Sequence, residues 1–298
     1  MEAEQVSKAV EESLVQIKWR LKYQSKRRLL TDVLGLCTRM RPVVMVDYGG
    51  MMPQLQDHLC SLLHLCQKES RLFECLRVMV IEDMIYLVHA VELAKYVRSS
   101  FNSEPELYFV NLEQDPPQMV AHSEEFLLKS ELVKVQKLFS LAFPLEGTDC
   151  ELATGAAYGE SSATNNQLSA GSSEFVDLSS CVQETEVTIP TLNGWLLGYP
   201  VVYLFSKNQI EYAIYNLSAK SLSIFRIIVC RTVKTNRGSE PEELMSFSVP
   251  CELSMRGSNE PWAEAFLAQM QAKWDKSKQV WSSLKMEVCE CYPQAIAL

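Results

Sequence analysis

Apolar residues recur every three or four positions at the start of the chain, through Val6, Val10, Leu14, Ile17 and Leu21 and again through Leu29, Leu30, Val33, Leu34 and Cys37. That spacing predicts helix over residues 3–40, broken once, with Pro42 as the stop. Val43 to Val46 is short and apolar on both faces, as in a strand covered on two sides, and Asp47-Tyr48-Gly49-Gly50 closes it with a turn signal. Pro53 opens a helix carrying Leu55, Leu59, Leu62, Leu63 and Cys66. Leu76 to Ile81 predicts a second buried strand ending at Glu82-Asp83, with Ile85 to Val88 a brief paired strand and Val91 to Phe101 a helix. Leu107 to Leu112 predicts a third strand, and residues 119–142 return to helical spacing. Strand alternating with helix predicts parallel strands joined by crossover helices.

From residue 147 to 186 the pattern fails. Ser, Thr, Gly, Ala and Asn dominate, and no Lys or Arg occurs between Lys137 and Lys207. Such a stretch buries too little apolar area to offset its ordering entropy, so a disordered acidic Ser/Gly-rich insertion is expected, Phe175 to Leu178 being its one apolar patch. Thr191 to Leu197 then reads as a helical turn ending at Gly198, and Val201 to Phe205 as a strand after Pro200. Glu211 to Tyr215, Ser223 to Arg231 and Leu244 to Val249 predict further strands in antiparallel meanders. Pro261 opens a last helix with Trp262, Phe266, Met270, Trp274, Trp281 and Leu284 on one side, and Met286 to Cys291 closes as a strand. The expected fold is α/β, a mixed sheet flanked by helices, parallel in the N-terminal half and antiparallel in the C-terminal half. It is expected to be one domain over 1–298: a βαβ-type half at 1–146, the insertion at 147–186, and an antiparallel half with the C-terminal helix at 187–298.

Composition narrows the function classes. The 298 residues are 47% hydrophobic and 22% charged, as in a chain that folds around a core. A net charge of −9 argues against nucleic acid as the main partner, leaving one basic cluster at Lys18, Arg20, Lys22, Lys26, Arg27 and Arg28. The cluster reads either as a solvated helix face or as an anion-binding patch. The polar start and the lack of a long apolar run predict neither a secretory signal nor a membrane span. Ten cysteines then read as reduced thiols, and the expected location is cytoplasmic or nuclear.

Three constellations are candidates for chemistry. Acids follow the predicted strands: Asp47, then Glu82 and Asp83, then Glu113 with Asp115. In open α/β sheets ligands bind beyond the carboxyl ends of strands, where carboxylates could hold Mg²⁺ with a phosphorylated ligand or accept from ribose hydroxyls. Polar turns that merely end the strands are the alternative. The stretch Val44-Met45-Val46-Asp47-Tyr48-Gly49-Gly50, with its acid and glycine pair after a strand, resembles the first motif of Rossmann-like methyltransferases, with Glu82-Asp83 where a ribose-binding acid would stand. Met51-Met52-Pro53 occupies the place of the further glycine which that motif requires. His58, Cys60, His64, Cys66 and Cys75 hold one pair at helical ligand spacing, Cys60 and His64, and no second pair follows, so core packing is the reading and no metal is expected. There is no Gly-x-Ser-x-Gly elbow and no Walker-type loop.

Several segments together resemble an uncharacterised animal protein family of the human chromosome-one open-reading-frame type, whose domain has no assigned function. They are Leu196 to Val201 with Tyr203 and Phe205, Ser246 to Pro250, the Trp262 helix, and Pro293 to Leu298. The resemblance implies family membership and supplies no catalytic residue or cofactor. Two functions stand as expectations: a non-catalytic protein working through protein partners, or a small-molecule or nucleotide-binding enzyme, methyltransferase-like or Mg-dependent, with Asp47, Gly49, Gly50, Glu82, Asp83 and Glu113 at its site. The cofactor and the oligomeric state stay open.

Overall fold

A computed structural model describes residues 2–101, 107–120, 127–145, 175–232 and 240–295. Helices α1 (Glu2–Gln16) and α2 (Tyr23–Cys37) are the two parts of the broken N-terminal helix, and α3 (Gln54–Glu69) buries each of the five apolar positions expected of it. Between them lies β1 (Val43–Met45). Strands β2 (Leu76–Ile81) and β3 (Met84–His89) form a hairpin, followed by α4 (Ala90–Ser99), β4 (Tyr108–Asn111), β5 (Gln118–Val120) and α5 (Leu127–Ala142). The second half runs β6 (Phe175–Asp177), α6 (Ser179–Gln183), α7 (Ile189–Leu196), β7 (Val201–Leu204), α8 (Ile210–Ser218), β8 (Leu222–Arg231), β9 (Glu242–Pro250), α9 (Pro261–Asp275) and β10 (Trp281–Cys291).

The class is α/β with mixed sheets, and the strands divide among three sheets, in the orders β1-β3-β2-β6, β5-β4-β7 and β10-β8-β9. The parallel pairings are β2 with β6 and β4 with β7, each joining a strand before residue 112 to one after residue 174. Within the first half β3 runs antiparallel between β1 and β2. The two-residue turn Glu82-Asp83 decides this, because a connection that short can join only antiparallel neighbours. As expected, β8 pairs antiparallel with both β9 and β10.

Alternation along the central hairpin splits its side chains between two cores. Val78, Val80, Ile85 and Leu87 join a core with α1, α2, α3 and the β10-β8-β9 sheet. Met79, Ile81, Tyr86 and Val88 join a second core with α4, α5 and α7, centred on Trp195. Burial on both faces is why these strands read as continuous apolar runs.

Four local expectations are corrected. Residues 211–215 are helical: Ala213 and Leu217, four apart, are buried together, and a strand would have turned alternate residues inward. Residues 118–120 form β5 against β4, outside the helix expected from 119. Trp281 and Leu284 belong to β10, since α9 ends at Asp275. Of the expected insertion, residues 147–174 lie outside the described residues, whereas β6 and α6 occupy 175–183. Backbone pairing to the edge of β2 and burial of Leu178 and Val182 order that segment, and neither is visible in its composition.

Candidate functional site

Helix α7 builds one wall of a cavity. The Thr188 side chain accepts from Thr191 N–H at its start, and Pro190 sits in the first turn, where a missing N–H is tolerated. At its end Gly198 takes φ 75°, with Tyr199 N–H donating to Gly194 O and Gly198 N–H to Trp195 O, both at 3.0 Å. This left-handed cap favours glycine, and it turns the chain so that Tyr199 leaves the helix toward the cavity. Gly194 packs so near β7 that a Cβ would meet Val202 Cγ1 at 3.3 Å. Thr191 Oγ1 donates to Tyr203 O at 2.7 Å, tying helix and strand together.

The cavity, about 610 Å³, lies where the three sheets meet. Its walls are α7 (Ile189, Pro190, Asn193, Gly194), the Leu197–Tyr203 segment, β9 (Ser246, Phe247, Ser248), the end of β1 (Met45) and the β2–β3 turn (Glu82, Asp83, Met84). Most of the wall is apolar, with fixed polar points. Tyr86 donates to Asn193 Oδ1 at 2.6 Å, and Tyr203 donates to Ser248 O at 2.7 Å. Tyr199 stacks at a tilt on Phe247, centroids 5.5 Å apart. Burial pushes the Tyr199 phenol up, opposed by Arg41 and Arg28 behind it. Its hydroxyl makes no hydrogen bond among the described residues.

Glu82 and Asp83 are exposed at the mouth. Glu82 holds φ 52°, a conformation that favours glycine, and its N–H donates to Ser179 Oγ at 2.8 Å. Ser179 Oγ donates in turn to Asp177 Oδ1, so the junction of β6 and α6 braces the turn.

The other predicted residues lie outside the cavity lining. Asp47 is exposed just beyond β1. Gly49 is packed under Trp19 and Leu21, and its carbonyl accepts from Trp19 Nε1 at 2.9 Å. Gly50 follows at φ 156°. Glu113 receives Ser206 N–H at 2.7 Å and Ser206 Oγ–H at 2.8 Å, which ties the ends of β4 and β7 together. Sequence reasoning missed Tyr199, Tyr203, Asn193 and the serines of β9. The signal that was present is the clustering of glycines and aromatics from Gly194 to Phe205, which reads equally well as core. Trp195 and Phe205 are indeed fully buried.

Beneath Tyr199 runs a buried charge network. Asp32 accepts from Arg28 Nε at 3.1 Å and from the Tyr48 hydroxyl at 2.7 Å, while Arg41 donates to Leu244 O at 2.9 Å. Burial raises the Asp32 carboxyl, against the pull of Arg28 and Arg41. Arg27 pairs with Glu240 and Glu242, and Lys26 with Glu11, so half of the basic cluster is committed to internal ion pairs. His58 stacks on Trp19, and burial lifts the Cys66 thiol to about 11. Among the described residues no group of three or more His, Cys, Asp or Glu could hold a metal ion. Cys75 is disulfide-bonded, which corrects the reduced-thiol reading there, while among the described residues Cys37, Cys66, Cys230, Cys251, Cys289 and Cys291 are free thiols.

These features define a mixed α/β protein with a partly apolar cavity at the meeting of its sheets. Residues 11–298 match the family described as Domain of unknown function (DUF4504), and the chain belongs to that family. No curated protein and no solved structure matches the chain. Among the described residues no helix is long and apolar enough to cross a membrane.

Proposed function

We propose that this protein binds a small organic molecule in the cavity between α7, β7 and β9. The observation carrying the reading is the cavity itself, whose size falls within the ~300–1,000 Å³ range of small-molecule sites and whose mainly apolar wall carries a few oriented polar groups. The hydroxyl of Tyr199, without a hydrogen bond among the described residues, is suited to hydrogen-bond a ligand head group, and Glu82 and Asp83 favour a cationic group at the mouth. The ligand class is therefore a compact molecule with an apolar or aromatic body and an amine. Asp47, Gly49, Gly50 and Glu113 belong to the framework in this reading, which does not need the methyltransferase-like or Mg-dependent chemistry. The reading also takes residues 1–298 as one unit of cytoplasmic or nuclear location, and the family as the chromosome-one open-reading-frame type of animals.

Thermal-shift screening with aromatic amines at millimolar concentration tests it. Stabilising compounds are expected, and Ile189→Trp or Met84→Trp, which fill the cavity and its mouth, should abolish their effect while the protein stays folded. No stabilising compound, or compounds indifferent to both substitutions, would overturn the reading.

A further inference from the structure

The two edges of the β10-β8-β9 sheet are treated differently. At β9 the outward carbonyls are capped by side chains from elsewhere in the fold: Arg28 donates to Glu243 O at 2.9 Å, Arg41 to Leu244 O at 2.9 Å and Tyr203 to Ser248 O at 2.7 Å. At β10, the longest strand described, no element among the described residues pairs with the outer side over eleven residues. A bare edge of that length is a template for another strand.

The side chains of β10 specify which strand fits. Along it, Lys285, Glu287 and Cys289 are exposed, and Leu284, Met286 and Val288 lean on the core. Place a second β10 antiparallel across a two-fold axis through Met286. Leu284 then faces the partner's Val288, and Lys285 faces the partner's Glu287, each pair occurring twice. Opposite charges and apolar pairs directly across an antiparallel ladder stabilise it. A two-fold interface requires this self-complementarity of one patch with itself.

We propose that β10 pairs edge to edge with β10 of a second copy about this axis, joining two three-stranded sheets into one of six strands. The inference is independent of the cavity.

Analytical ultracentrifugation of the full chain should then give a dimer. Lys285→Glu sets like charges against each other twice and should weaken the dimer about tenfold, as should Glu287→Lys. The double variant Lys285→Glu with Glu287→Lys should restore it. Register is read separately, in a Cys289→Ser background. Chains with Lys285→Cys mixed with chains with Glu287→Cys should form a disulfide between unlike chains under mild oxidation, and neither variant should cross-link alone. The positions are on the exposed face, so circular dichroism should show an unchanged fold. A chain that stays monomeric at high micromolar concentration overturns the proposal. So does a dimer indifferent to charge reversal, cross-linking in another register, or coverage of β10 by a strand of a different protein.

Discussion

Three residues carry charges or conformations that solvent alone would not favour, and each makes a measurable statement. His89 is buried at the start of α4, where Nδ1 accepts from Glu92 N–H at 3.3 Å. Burial lowers its pKa below the ordinary 6.5, outweighing the attraction of Glu92. Between the folded and unfolded values the unfolded chain holds more protons, so stability present above pH 6.5 is lost as pH falls through the folded pKa. The urea midpoint should therefore drop on acidification from neutral pH, and His89→Asn, which keeps a capping acceptor but does not titrate, should flatten that slope. Asp32 anchors Arg28 and Tyr48 in the interior, so Asp32→Ala should cost about 3–5 kcal/mol in urea unfolding by stranding buried charge. Asp32→Asn should cost less, because its amide oxygen still accepts from Tyr48. At the cavity mouth, Glu82→Gly should raise stability by about 1 kcal/mol by relieving the left-handed backbone. The same change should weaken the binding of amines by removing a carboxylate, so the two effects of one substitution run in opposite directions.

At the scale of the element, α7 with its glycine cap is the part most legible from sequence. Pro190 at its start, Gly198 at its end and Pro200 before β7 each act through local backbone geometry, which neighbouring residues determine. Gly198→Ala should lower stability by about 1 kcal/mol or more in urea unfolding and should also reduce ligand binding, since it misdirects Tyr199. The open space around that position means that conformation alone is at stake. Helix α8 was not legible as helix, because Ile210 to Tyr215 is rich in residues that favour strands. Ala213 and Leu217, held against the first core, override that preference. Strand β6 was hidden for a different reason: three residues cannot carry a period, and its order comes from the β2 edge it pairs with.

At the scale of the whole molecule, the cavity arises where separate sheets fail to merge. Each supplies a wall from residues distant in sequence, from Met45 to Ser248. Glu82 and Asp83 were identifiable because a hairpin turn marks itself by polarity after an apolar run. The hydroxyls of Tyr199 and Tyr203 were not, since an aromatic residue in an apolar stretch has the same sequence signature whether it fills a core or lines a space. The sequence by itself determined which stretches are helix or strand wherever periodicity ran long enough, where the chain turns, and which family it belongs to. Only the tertiary structure decided that the strands divide among three sheets, that β2 and β4 take their parallel partners from beyond residue 174, and that a cavity remains between them. Periodicity and turn chemistry are written into adjacent residues. Strand partners and empty space depend on which distant surfaces pack together, and those are choices among many sequence-compatible arrangements.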